Sequence, residues 1–128
     1  MSKMVQEWLK IARTELNTAK VLSSLGIEHA NIVLFLSQQV AEKSIKAYLV
    51  FLRKKIKKTH DINELTRDIN VHDDSLKNLL DGAHFLTQYA AKFRYPQLVE
   101  QNLTGEEVSK ALKIAEDVYK NILQKINE

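Results

Sequence analysis

The sequence predicts an all-α protein: an antiparallel up-and-down bundle of four long helices plus one short helix. Three observations carry this. Apolar residues recur every three or four positions over long stretches. No stretch alternates with period two for long enough to make a strand. Only three Gly and one Pro occur in 128 residues, too little turn chemistry for a sandwich or a barrel. A chain of this length is expected to form a single domain over residues 1–128, burying roughly two thirds of its surface on folding.

The elements follow in order. The first segment runs from about Lys3 to Ser24, with Val5, Trp8, Leu9, Ala12, Leu16, Ala19 and Leu22 on one face and Glu7, Lys10, Arg13, Glu15 and Lys20 between them. That is an amphipathic helix, and Gly26 allows a tight turn after it. The second runs from about Ile27 to Lys55 and is apolar almost all round, as expected of a helix in the middle of a bundle. It nevertheless carries Gln38, Gln39, Glu42, Lys43 and Lys46, which at about 100° per residue share an arc of roughly 140°. The third segment follows Thr59-His60-Asp61, where Thr59 or Asp61 supplies a cap, and ends near Val71. The fourth runs from about Ser75 to Phe93, its stripe being Leu76, Leu79, Leu80, Ala83, Leu86, Ala90 and Phe93, and Arg94-Tyr95-Pro96 ends it. Thr104 and Glu107 have capping-box spacing before the fifth segment, which reaches about Ile126.

Composition narrows the function. Hydrophobic residues are 45% and charged residues 27% of the chain, the balance of a soluble globular domain. The absence of Cys excludes a disulfide framework, a thiolate zinc site and a Cys nucleophile. The first residues lack the apolar run of a signal peptide, and no stretch of about 18 apolar residues offers a membrane span, so the cytoplasm is the expected location. The net charge of +3 is too mild to predict a nucleic-acid binder. Its distribution is more informative, because Arg53-Lys54-Lys55-Ile56-Lys57-Lys58 places five cations in six residues. They read either as a solvated helix end, where cations suit the macrodipole, or as an anion site for phosphate or RNA.

Phosphate-loop, dinucleotide, nucleophile-elbow and His-Glu-x-x-His motifs are all missing. The histidines at 29, 60, 72 and 84 include no i, i+3 or i+4 pair, so no helical metal site is expected. No cofactor is implied. His84 lies near the stripe of the fourth segment, where packing is its expected role.

Several motifs together resemble one family. Residues 35–49, Phe-Leu-Ser-Gln-Gln-Val-Ala-Glu-Lys-Ser-Ile-Lys-Ala-Tyr-Leu, resemble the second helix of HEPN domains, the "higher eukaryotes and prokaryotes nucleotide-binding" domains. Lys58-Thr59-His60-Asp61-Ile62 resembles that family's Lys-Thr-His-Asp-Leu junction. Tyr89 and Arg94-Tyr95-Pro96 resemble the ending of its fourth helix, and Trp8 with the Ala-rich first helix also fits. The resemblance implies a compact helical bundle that commonly forms a homodimer. It further implies a minimal nucleotidyltransferase as partner, often in a two-gene toxin–antitoxin system. Some members are metal-independent ribonucleases that use Arg, four to six residues, then His; others bind nucleotides or partner proteins.

Two site hypotheses follow. The ribonuclease motif occurs as Arg67-x4-His72, and Arg53 to His60 has six intervening residues. His would act as general base or acid and Arg would stabilise the phosphate charge. Position counts against both matches, since the resemblance places the motif around the later helices, and no His follows Arg94. The rival site joins the second helix, the Thr-His-Asp junction and the end of the fourth helix. In it Lys43, Lys46 and Arg94 bind phosphate, Tyr95 stacks on a base or packs against the bundle, His60 and Asp61 order the loop, and Gln39 and Glu42 read polar ligand edges. The competing structural reading is a buried ion-pair network joining Glu42 to Lys46 or Arg94, which would fix the packing of the central helix.

Overall fold

The computed structural model describes residues 1–92 and 103–128. Among them the helices are α1 (Lys3–Ser24), α2 (Ala30–Phe51), α3 (Ile62–His72), α4 (Lys77–Ala83), α5 (Tyr89–Lys92) and α6 (Gly105–Ile126), and no strand is present. None of these helices is long and apolar enough to cross a membrane.

Helix α1 begins where Ser2 Oγ accepts a hydrogen bond from the Val5 amide at 3.2 Å, satisfying one of the orphan donors of its first turn. Val5, Leu9, Ala12, Leu16 and Ala19 are its buried positions. Their alternating spacing of four and three residues lays them in one seam. The chain leaves α1 through Gly26 at φ +127°, a conformation that a side chain would strain. A 3-10 turn at Ile27–His29 then starts α2.

Helix α2 is the middle of the bundle and packs most extensively against α1 and α6. Pairs across the helices fix their directions. Glu15 meets Lys43, and Lys46 lies over Trp8, so α1 and α2 run antiparallel. Lys20 meets Glu116, and Leu9 shares a groove with Tyr119 and Leu123, so α1 and α6 are also antiparallel. The smallest seam residues, Ala12, Ala19, Ala111 and Ala115, are all fully buried; small side chains there let the helices approach closely.

Helix α2 is shorter than its pattern suggests and stops at Phe51 rather than near Lys55. The Arg53 amide donates to Val50 O (3.0 Å) and the Lys54 amide to Leu49 O (2.9 Å), the bond pair of a Schellman motif. Arg53 takes the left-handed position of that motif at φ 59°. Residues 53–55 are exposed, so further helix there would bury nothing, whereas the motif satisfies two terminal carbonyls.

The fourth segment is not one continuous helix. A 3-10 turn at Asp74–Leu76 leads into α4, and a second at His84–Gln88 separates α4 from α5. Its buried residues explain the break. Leu80, Ala83, Leu86 and Tyr89 are 0–2% exposed and lie three apart, which a three-residue turn keeps on one face but a 3.6-residue turn does not. Gly82, a weak helix former, sits just before the transition. One consequence is that His84 does not pack inward as expected: its side chain is exposed, 3.8 Å from Asp61 Oδ1.

Side-chain caps begin α3 and α6 as expected, whereas α4 starts at Leu76 without one. Asp61 accepts from the Asn63 amide (3.0 Å) to begin α3, while Thr59 Oγ1 accepts from the Asp61 amide (3.1 Å). Thr104 Oγ1 accepts from the Glu107 amide (3.1 Å) to begin α6. The Glu107 carboxylate closes no capping box and instead accepts from Tyr89 Oη at 2.5 Å, tying α5 to α6.

Candidate functional site

The polar arc of α2 faces into the protein. Gln38, Gln39 and Glu42 are buried, with Glu42 only 2% exposed, and Lys43 and Lys46 are partly buried. A buried carboxylate is tolerated only when its lone pairs are filled, and those of Glu42 are. Its Oε1 accepts from Gln38 Nε2 (3.0 Å) and lies 2.7 Å from His60 Nδ1; its Oε2 accepts from Lys46 Nζ (3.0 Å). Burial pushes the Glu42 carboxyl up, but the bonds from Gln38, His60 and Lys46, with the Lys46 charge, outweigh it and hold the group below its ordinary range. An ionised carboxylate can only accept, so His60 carries a proton on Nδ1.

The network extends in both directions. Gln38 Nε2 also donates to the backbone carbonyl of His60 (3.2 Å), and its Oε1 accepts from Gln39 Nε2 (2.6 Å). Lys46 Nζ stands 5.6 Å from the Trp8 ring centroid, in cation–π range. Lys43 is ion-paired with Glu15. The junction is pinned from a third side, because the Ile62 amide donates to Thr87 Oγ1 at 3.1 Å. Together these contacts join α1, α2, the 59–61 junction and the 3-10 turn at His84–Gln88.

Of the residues expected in the ligand site, Gln39, Glu42, Lys46 and His60 stand in one connected network. Asp61 caps α3 beside it, and Lys43 pairs separately with Glu15. Arg94 and Tyr95 lie outside the described residues. The Glu42–Lys46 ion pair of the competing structural reading is present. His60 remains on the surface, with its side chain 53% exposed.

Three participants were absent from the site as read from the sequence. Gln38 is the hub that clamps both Glu42 and His60; its i, i+4 spacing to Glu42 was the available signal. Trp8 and Glu15 enter from α1, and nothing local in the sequence marks contacts made across helices. Arg67 and His72 both lie on α3, exposed. Five residues apart, they project about 140° from one another around the helix axis.

Comparison with known proteins agrees with this architecture. The HEPN domain family model matches residues 5–126. The chain is similar to the crystal structure of ST0689, an archaeal HEPN homologue, at 26% identity and a TM-score of 0.77, covering 98% of this chain and 99% of that one. It is also similar to TT1696 from Thermus thermophilus, at 26% identity and a TM-score of 0.83, covering 97% of this chain and 99% of that one. No curated protein matches. With the family model spanning almost the whole chain, and the Gln-Gln-x-x-Glu-Lys and Thr-His-Asp segments meeting in one network, the protein belongs to the HEPN domain family.

Proposed function

We propose that this chain is a HEPN module that pairs with a second copy and works with a minimal nucleotidyltransferase, as half of a toxin–antitoxin-like pair, binding a partner or a nucleotide without catalysis of its own. The observation that carries this reading is an exposed apolar stripe on α1. Met4, Trp8 and Ile11, four and three residues apart, share a face. Met4 and Ile11 are 56% and 43% exposed, and Ile56 lines the same groove. Large apolar side chains lined up in solvent mark a contact surface rather than a core, and the groove runs along a helix, so two copies can bury it against each other. The basic 53–58 edge contributes no side chain to the α2 network and remains available to a nucleotide or a protein partner. The Arg67–His72 ribonuclease reading gains no support from the geometry of one chain, because the two side chains leave α3 in different directions.

The test is the solution mass. Light scattering on the wild type should give twice the chain mass of 14.7 kDa, and Ile11→Asp should return it to a single chain with unchanged helicity. Co-expression with a minimal nucleotidyltransferase should recover the two proteins together. A strictly monomeric wild type that retains no nucleotidyltransferase would sink the reading.

A further inference from the structure

A surface histidine is ordinarily held by little, yet His60 is held twice. Gln38 grips its backbone carbonyl and Glu42 grips its ring. Holding the ring uses a buried carboxylate, whose desolvation is costly. The outcome is an imidazole locked in one orientation with Nδ1 committed to Glu42, while Nε2 has no partner among the described residues. Fixing one ring nitrogen with a carboxylate in order to present the other is how proteins prepare a histidine to meet a ligand.

The surroundings state the charge of that ligand. Lys46 and Glu42 neutralise each other. Asp61 is turned into the first turn of α3 by its bond from the Asn63 amide, with exposed His84 beyond it. The chain arrives at His60 through Arg53, Lys54, Lys55, Lys57 and Lys58, none of which forms an ion pair among the described residues. Elsewhere in the bundle several lysines have acidic partners: Lys43 with Glu15, Lys20 and Lys120 with Glu116, Lys113 with Asp117. The Schellman motif and the Thr59 amide bond to Lys57 O (3.0 Å) hold this connector folded rather than trailing.

We infer that His60, positioned by Glu42 and Gln38 and flanked by the 53–58 cations, is the contact residue of a site for a terminal phosphate group. The chemistry favours a monoester over a diester. With Nδ1 protonated, a neutral ring offers a lone pair at Nε2 and a protonated ring offers a second N–H. A terminal phosphate, whose second proton leaves at about pH 6, matches either state: its P–OH donates to the neutral ring, or its dianion accepts from the imidazolium. A backbone diester has no P–OH and matches only one. The inference rests on the nucleotide-binding side of the function proposed above and narrows it to one residue and one chemical group.

The experiment is NMR and calorimetry on the full chain, with inorganic phosphate, AMP, adenosine, and a short oligoadenylate carrying either a 5′-phosphate or a 5′-hydroxyl as probes. Phosphate and AMP should shift the His60 ring resonances and adenosine should not. The 5′-phosphorylated oligonucleotide should bind about tenfold more tightly than its 5′-hydroxyl twin, the scale of one charge-assisted hydrogen bond. His60→Ala, at an exposed position, should erase that tenfold preference. Glu42→Gln should weaken it and alter the ring nitrogen shifts of His60, a readout that loss of packing elsewhere would not move; Gln38→Glu, which keeps an acceptor but repels Glu42, serves as a second positioning variant. Equal binding of the two oligonucleotides, with affinity lost only when the 53–58 lysines are replaced, would overturn the inference in favour of plain polyelectrolyte attraction. AMP binding that is unchanged in His60→Ala would overturn the inference while leaving nucleotide binding standing. No binding of any probe to the wild type would overturn both.

Discussion

Replacing Glu42 by Gln tests the network at its centre. Three donors converge on the Glu42 carboxylate, from Gln38, His60 and Lys46, at 3.0, 2.7 and 3.0 Å. A carboxamide has one accepting oxygen, and its NH₂ would be left facing a donor, so the substitution keeps the volume but orphans part of the set. Lys46 is the group most affected, its side chain being only 13% exposed. Leaving one partner of a buried pair behind costs about 3–5 kcal/mol. The long lysine stem can still carry Nζ toward water, which places the expectation near the lower bound, about 3 kcal/mol, or about 10 °C in Tm for a domain of this size. Urea unfolding of the full chain at pH 7 measures it. The acid limb supplies an independent check. The folded Glu42 carboxyl sits below its ordinary range, so the unfolded chain takes up the proton first as pH falls. The contribution is therefore complete above the ordinary carboxylate range, about pH 5, and drains away as pH falls through about 4 and below. Glu42→Gln should lie well below the wild type at pH 7 and approach it as pH falls below the ordinary carboxylate range. In Glu42→Gln/Lys46→Met no cation is stranded, and the double variant should be more stable than the sum of the single losses predicts. A cost under 1 kcal/mol at pH 7, or one that is the same at pH 7 and pH 3, would refute the reasoning.

Two further outcomes follow from local geometry. Arg53→Gly relieves a left-handed residue at φ 59° and should stabilise the protein by about 0.5–1 kcal/mol, less than the full strain because glycine also loosens the unfolded chain; an unchanged or lower midpoint in thermal unfolding would show that the Schellman turn carries no strain. Tyr89→Phe removes the 2.5 Å bond to Glu107 and should cost about 1.5–3 kcal/mol, the range for a hydrogen bond to a charged group; equal stability of the variant by urea titration would mean that solvent replaces the bond without loss.

Much of the fold was legible because it is written in local periodicity. The seam of α1 and the inward face of α6 are set by residues three and four apart, and the caps at Asp61 and Thr104 are local chemistry. The site was legible only in part. Residue types in the α2 arc announced a polar cluster, but two outcomes were open, a solvent-facing ligand surface or an internal network. Periodicity gives the angle between residues on one helix and leaves undetermined what stands opposite them.

By itself, then, the sequence determined the all-α class, the two flanking helices to within a residue or so, and the residue types able to form the cluster, since each depends on neighbours along the chain. Only the tertiary structure decided where α2 stops, that the fourth segment breaks into short turns, and that His84 points outward. It alone brought Trp8 and Glu15 to the arc and placed His60 against Glu42, 18 residues away in the chain. The physical reason is common to all of these. Burial at spacing three overrode helical propensity around Leu86, and the desolvation of Glu42 is offset only by groups that packing delivers from other elements.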